Sequence, residues 1–252
     1  MLLISVILII LGVINEGDFI ADIGINIGLS ILSTVIVYFI LKVGAENPME
    51  PIIEKMDLLS NELTVSIDML KSTKETGIIN TWNSRGDYPA KEWISRISST
   101  NGDINILCYA MHFLLDEPDF DDELIKVAKD GKKVRILVGL SNGEYVKART
   151  IEEKSEGDIG ERIKRVSDRL ACINNELPEG KKIEIKYHDT PLYASIYVFG
   201  SNMLVTPQLY ATRGAKAPLL EIKDTENAQS LFKKYLRMFD AVWAVGKEKD
   251  GV

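Results

Sequence analysis

The sequence predicts a three-layer α/β domain on a helical stalk, behind an N-terminal hairpin of two transmembrane helices. Three observations carry this prediction. The first 44 residues are nearly free of charge, a 4-3-4 spacing of apolar residues follows, and from about Thr76 strand-like and helix-like patterns alternate. The boundaries are 1–44 for the membrane helices, 45–75 for the stalk, 76–246 for the α/β domain and 247–252 for a tail.

Residues Met1 to Ile14 hold no charged side chain, and a second apolar run extends from Phe19 to Val43. The second run can cross a hydrocarbon core of roughly 30 Å at 1.5 Å per residue; the first, at roughly 21 Å, is short for a span. The break between them, Asn15-Glu16-Gly17-Asp18, carries two acids, whereas Lys42 and Lys55 follow the second run. The positive-inside bias then places both ends in the cytoplasm. Gly24 and Gly28 form a small-xxx-small pair with Asn26 between them, and Ser30, Ser33 and Thr34 add polar groups. Such a face packs on another helix, either within the hairpin or in a second copy of the chain.

Pro48 and Pro51 mark the start of the stalk, and Pro51 suits a first helical turn. Ile52, Met56, Leu59, Leu63 and Leu70 keep heptad spacing, with Ser66 at the missing position. The segment reads either as a coiled coil between copies or as a helix packed on its own domain.

Beyond the stalk, two polar loops (Thr76–Ile78 and Asn83–Asp87) precede a helix from Pro89 to Ser99 and a strand from Asp103 to Ala110. A helix from Asp121 to Asp130, closed by Gly131, and a strand from Lys133 to Leu140 complete a βαβ unit. A polar helix from Asp158 to Glu176 precedes a strand from Lys182 to Tyr187. Tyr193–Phe199 and Asn202–Val205 form a hairpin around Gly200-Ser201. A strand from Ala217 to Ile222 and a final amphipathic helix capped by Asp224 close the domain.

Composition narrows the function. Of 252 residues, 46% are hydrophobic and 27% charged, with a net charge of −7. That excludes a disordered chain and a bulk-basic nucleic-acid coat. Two cysteines without a C-x-x-C pair exclude a disulfide scaffold or zinc ribbon; Cys108 and Cys172 both read as buried thiols. The clusters Lys132-Lys133-Arg135, Arg162-Lys164-Arg165 and Lys233-Lys234-Arg237 are interleaved with acids and read as solvated faces.

The element order, with the segments ISRISSTNGDINILCYAM, DDELIKVAKDGKKVRILVGL and YASIYVFGSNMLVTP, resembles one half-unit of the phospholipase D-like superfamily. The resemblance implies a His-x-Lys signature with a later aspartate on the hairpin strand. Here Tyr193, Ser195 and Gly200 stand at those positions. His188 lies nearby, but the residues two and seven after it are Thr190 and Ser195. A histidine nucleophile and a phosphate-clamping lysine are what that chemistry needs, so a non-catalytic member is expected. If the protein were an enzyme, His188 and Asp189 would carry it.

Most candidate ligand residues sit at strand ends, where open α/β sheets bind ligands, and Arg85 sits in the polar loop before the first helix of the domain. The candidates are Arg85, His112, Ser141, Asn142 and His188. Arg85 contacts a phosphate or, as the first expectation, pairs with Asp87. The Ser141–Glu144 turn offers amides to a phosphate. No cofactor and no metal are expected. The functional expectation is a membrane-anchored effector with a non-catalytic cytoplasmic sensing domain. Its architecture resembles bacterial anti-phage membrane effectors of the retron or cyclic-oligonucleotide type, which disrupt the inner membrane. Its expected partners are the lipid bilayer, further copies of the chain, and a protein, nucleic acid or nucleotide signal from a defence operon. A membrane-anchored phosphodiesterase or nuclease and a structural scaffold are the alternatives.

Overall fold

The computed structural model describes residues 6, 7, 10, 19–44, 49–154 and 158–248. The chain divides into two units, residues 1–69 and 70–252.

In the first unit, α1 spans Phe19–Gly44 and α2 Met49–Thr76, which runs on into the second unit. The stretch Ile23–Lys42 is 20 residues long with mean hydropathy 2.1, and only 6% of it is buried. At 1.5 Å per residue it matches a hydrocarbon core of roughly 30 Å. It is the one helix among the described residues with the length and composition to cross a membrane. Most of the expected first span, Met1–Ile14, and the acidic connection to α1 lie outside the described residues. Gly24 and Gly28 are one helical turn apart on a common face, whereas Asn26 is exposed and two residues round the helix. Ser33 and Thr34 donate their hydroxyls to the Ser30 carbonyl at 2.9 and 2.8 Å. Along α2, apolar exposure is not confined to the heptad seam: Leu59 and Leu70 are exposed, but so are Ile53, Leu58, Val65, Ile67 and Met69.

The second unit is built on a seven-stranded mixed sheet, ordered β1-β7-β6-β5-β2-β3-β4. The strands are β1 (Ile78–Trp82), β2 (Ile104–Cys108), β3 (Val134–Gly139), β4 (Glu184–His188), β5 (Ala194–Phe199), β6 (Asn202–Pro207) and β7 (Leu219–Lys223). Strands β2, β3 and β4 run parallel; β5, β6, β7 and β1 join antiparallel. The predicted βαβ unit is present, with its helix α5 (Phe120–Lys129) between β2 and β3.

Period-two alternation splits the core. Ile104, Ile106, Cys108, Tyr197 and Leu204 point to one face, under α3 (Ala90–Ser98), α5 and α7 (Ile159–Glu176). Leu107, Ile196, Val198, Met203 and Val205 point to the other, under α8 (Leu231–Val245) through Phe232 and Phe239. Two short helices, α4 (His112–Leu115) and α6 (Glu144–Glu152), follow the carboxyl ends of β2 and β3.

Three expectations are corrected. The polar stretch before Asn83 contains β1, whose partner is β7; Gly77 at φ +81 turns the chain out of α2 into it. A Cβ there would lie 2.4 Å from the Lys223 carbonyl oxygen, so the position needs glycine. The last helix is capped by Ser230, whose hydroxyl accepts from the Lys233 amide, while Asp224 pairs with the Lys233 ammonium. Cys172 is exposed on α7, where Leu170 and Ile173 take the buried positions; Cys108 is buried as expected.

Candidate functional site

A cavity of about 260 Å³ opens at the carboxyl end of β2, over the face that carries Ser195 of β5. Its walls include Arg85, His112, Phe113, Arg162, Ser195 and Arg213. Three arginines converge against a single wall carboxylate, Glu153, so the lining is net cationic.

Local structure sets each group. Arg85 begins a short 3-10 turn in which the Ser84 amide donates to the Asp87 carboxylate at 3.0 Å and the Arg85 amide to the Ala217 carbonyl at 2.8 Å. The Asp87 carboxylate is thereby turned to backbone, and the Arg85 guanidinium instead lies 4.2 Å from the Phe113 ring centroid. Phe113 rests on Trp93, which also meets Tyr88 and Tyr197 edge to face at 5.3 and 4.9 Å. This aromatic block fixes the floor beneath the arginine.

Beneath the mouth, Ser195 accepts from the Gln208 side-chain amide at 2.9 Å. The Thr206 hydroxyl, fully buried on the Ser195 face, has no partner, and neither does His112 Nδ1; the fully buried Tyr197 hydroxyl faces Ser195 and Arg85. Burial pushes the Tyr197 phenol up, so it stays a protonated donor, and pushes the Cys108 thiol up to about 12. Burial also pulls the His112 imidazole below its ordinary value; Arg162, Arg85 and Arg165 act the same way, and Asp116 opposes them.

Arg213 arrives on the loop after β6, which Arg149 of α6 holds. Arg149 is buried, and its guanidinium donates to Glu152 (2.6 Å), Glu153 (2.8 Å) and the carbonyls of Leu209 (3.0 Å) and Thr212 (2.7 Å). Glu152 in turn accepts from the Ala211 amide at 3.0 Å, which secures the left-handed turn at Ala211, φ +54.

Of the candidates read from sequence, Arg85 and His112 meet in this cavity; Ser141, Asn142 and His188 are not among its walls. The turn expected to hold a phosphate serves the chain's own carboxylate: Asp189 accepts from the amides of Glu144 and Tyr145 at 3.3 and 3.2 Å. Gly143 makes this cap feasible, since a Cβ there would lie 2.5 Å from the Asp189 carboxylate. His188 is buried, with Nε2 3.3 Å from the Cys108 carbonyl and Nδ1 3.1 Å from the Thr190 hydroxyl. The carbonyl can only accept, so Nε2 carries the proton and Nδ1 accepts from Thr190. His188 and Asp189 thus tie loops to the sheet. Of the positions that the resemblance assigns to a histidine, lysine and aspartate, only Ser195 reaches the cavity. Tyr193 is 74% exposed, and Gly200 forms the hairpin turn at φ +60. Among the described residues, no group of three or more His, Cys, Asp or Glu is placed to hold a metal.

Arg213 and Gln208 are wall residues that the sequence pattern does not single out. The one signal for them was a Gly- and base-containing loop, residues 208–216, directly after a strand.

No protein-family model matches the chain, and no curated protein matches it. The solved structures it is similar to include phospholipase D family proteins and a chromatin protein. Nuc from Salmonella typhimurium, a phospholipase D family member, is 16% identical over 61% of this chain and 86% of its own, with a TM-score of 0.38. NucT from Helicobacter pylori is 15% identical over 62% and 87%, at 0.36. TrmBL2, an archaeal chromatin protein that binds DNA, is 15% identical over 85% and 70%, at 0.42.

Proposed function

We propose that the α/β unit is a non-catalytic binding head that recognises a phosphate-like anion in the arginine-lined cavity, and that α1 anchors it to a membrane. The observation carrying this reading is the convergence of Arg85, Arg162 and Arg213 on one cavity, with His112 in its wall and the His112 Nδ1 without a protein partner. A buried ring nitrogen without a partner is costly, and an anion that accepts from a proton-bearing Nδ1 would satisfy it while the arginines hold its charge. Ser195, where the resemblance places a phosphate-clamping lysine, leaves the recognition of charge to arginines from outside the strand.

In this reading the phospholipase D-like scaffold keeps its ligand edge and has lost its nucleophile. The anti-phage effector belongs to the same proposal as its output: binding in the head would bias association of the Gly24/Gly28 face and of α2 between copies in the bacterial inner membrane. A ligand can do this only through differential affinity for two states.

The test is calorimetric titration of the full chain in detergent micelles with sulfate, whose charge is constant above pH 3. Binding is expected, with a loss of 10-fold or more in Arg213→Ala and in Arg85→Ala; no binding, or indifference to both substitutions, overturns the proposal. Hydrolysis of a phosphodiester by the same preparation would transfer the protein to the enzyme class. Membrane sedimentation that persists after alkaline extraction tests the anchor.

A pH series separates the role of His112. Its folded pKa lies below 6.5, so at neutral pH the ring is uncharged, and a bound anion favours the protonated form. Sulfate affinity is expected to rise several-fold as pH falls from 8 to 5.5. In His112→Gln that rise should flatten; an equal slope in both proteins would rule the histidine out.

A further inference from the structure

A second concavity, of about 270 Å³, adjoins the cavity: Tyr109 and Gln208 line both. Its other walls include Tyr145 of α6, Leu192, Tyr193 and Tyr210. The three tyrosines are 40%, 74% and 85% exposed. Large rings at such exposure, gathered from three separate segments round one groove, are unusual on a protein surface. The groove is not a loose collection of loops. The Tyr109 hydroxyl accepts from the Leu192 amide at 3.1 Å, and the Gln208 amide donates to the Tyr193 carbonyl at 2.8 Å. The Arg149 clamp fixes the loop that carries Tyr210.

One loop therefore serves both concavities. Residues 208–213 supply Gln208 to the shared wall, Tyr210 to the groove and Arg213 to the cavity. We propose that cavity and groove form one bipartite site for a nucleotide, the phosphate seated among the arginines and the base stacked on the tyrosine groove. The proposal rests on the anion-binding reading of the cavity and adds the class of ligand. The charges favour this occupant: the cationic half suits a phosphate ester, while in the groove Arg149 and Glu152 pair with each other at 2.6 Å and the tyrosines present π-faces that every base can use. Joined, the two concavities reach the size of small-molecule sites, roughly 300–1,000 Å³. The positions also explain why Tyr193 is exposed where the resemblance calls for an inward histidine: its ring lines the neighbouring groove.

The test titrates the full chain in micelles with adenosine 5′-monophosphate, ribose 5-phosphate and sulfate. The nucleotide is expected to bind at least 10-fold more tightly than ribose 5-phosphate. The double variant Tyr193→Ala/Tyr210→Ala should bring the nucleotide down to the affinity of ribose 5-phosphate and leave sulfate unaltered. Both side chains are exposed, so the fold should tolerate their removal, and Tyr193→Phe/Tyr210→Phe should retain stacking. Equal affinity for the nucleotide and ribose 5-phosphate, or an unaffected alanine variant, overturns the nucleotide assignment while sulfate binding leaves the anion site standing. Failure of sulfate binding itself would remove both. If the alanine variant changes only the sedimentation coefficient, the tyrosines form a protein contact and the nucleotide assignment falls.

Discussion

Replacing Arg149 with alanine should destabilise the protein by about 3–5 kcal/mol, as expected when one partner of a buried charge network is removed. The side chain joins the carboxylates of Glu152 and Glu153, at the end of its own helix, to two backbone carbonyls some 60 residues away. Without it, Glu153, with a side chain only 10% exposed, loses its ion pair, and the Leu209 and Thr212 carbonyls lose their donor. Lysine preserves the charge but cannot reach four acceptors with a fork, so Arg149→Lys should recover only part of the loss. Urea unfolding of the full chain in micelles, followed by tryptophan fluorescence, measures both. The same loop carries Arg213 and Tyr210, so sulfate affinity should fall in Arg149→Ala even where the protein remains folded. A cost below 1 kcal/mol would show that the loop holds its shape without the clamp.

The second large effect is expected at His188. His188→Ala removes a buried ring from between β4 and the end of β2 and strands the Cys108 carbonyl, a loss of roughly 2–4 kcal/mol. Burial holds the folded-state pKa below 6.5, while hydrogen bonds to Cys108 and Thr190 and the charge of Asp189 oppose it. The unfolded chain therefore binds the proton more readily. Stability is full above pH 6.5 and declines as pH falls from there toward the folded value. His112 contributes with the same sign, so His188 accounts for the difference in slope between wild type and variant. A variant as stable as wild type at pH 7.5 would free His188 for a chemical role.

Much of the second unit was legible in the sequence because its strands alternate or are wholly apolar and its helices carry clear stripes. The predicted strand at Lys133–Leu140 and helix at Asp158–Glu176 lie within about a residue of β3 and α7. β1 was not legible: its three central residues are exposed, so Ile78–Trp82 shows neither a period of two nor an apolar run. The Asp224 cap was misread because a helix pattern does not say which polar residue before it is the cap, and Ser230 stands next to the first turn. Within the site, Arg85 and His112 stood out as charged or titratable residues at element ends. The Arg149 clamp joins α6 to a loop on the far side of β4, β5 and β6 in sequence, and no local pattern encodes such a pairing. The Ser141–Glu144 amides looked open because only the folded chain brings Asp189 to them.

The pairing of β1 with β7 bears on how the molecule is made. Ile78 meets Ile222, so the strand that emerges first from the ribosome waits for one of the last before its ladder can close. Contacts so remote in sequence form slowly. Until translation reaches β7, the nascent sheet keeps an open edge, and chaperone occupancy should be greatest over that interval.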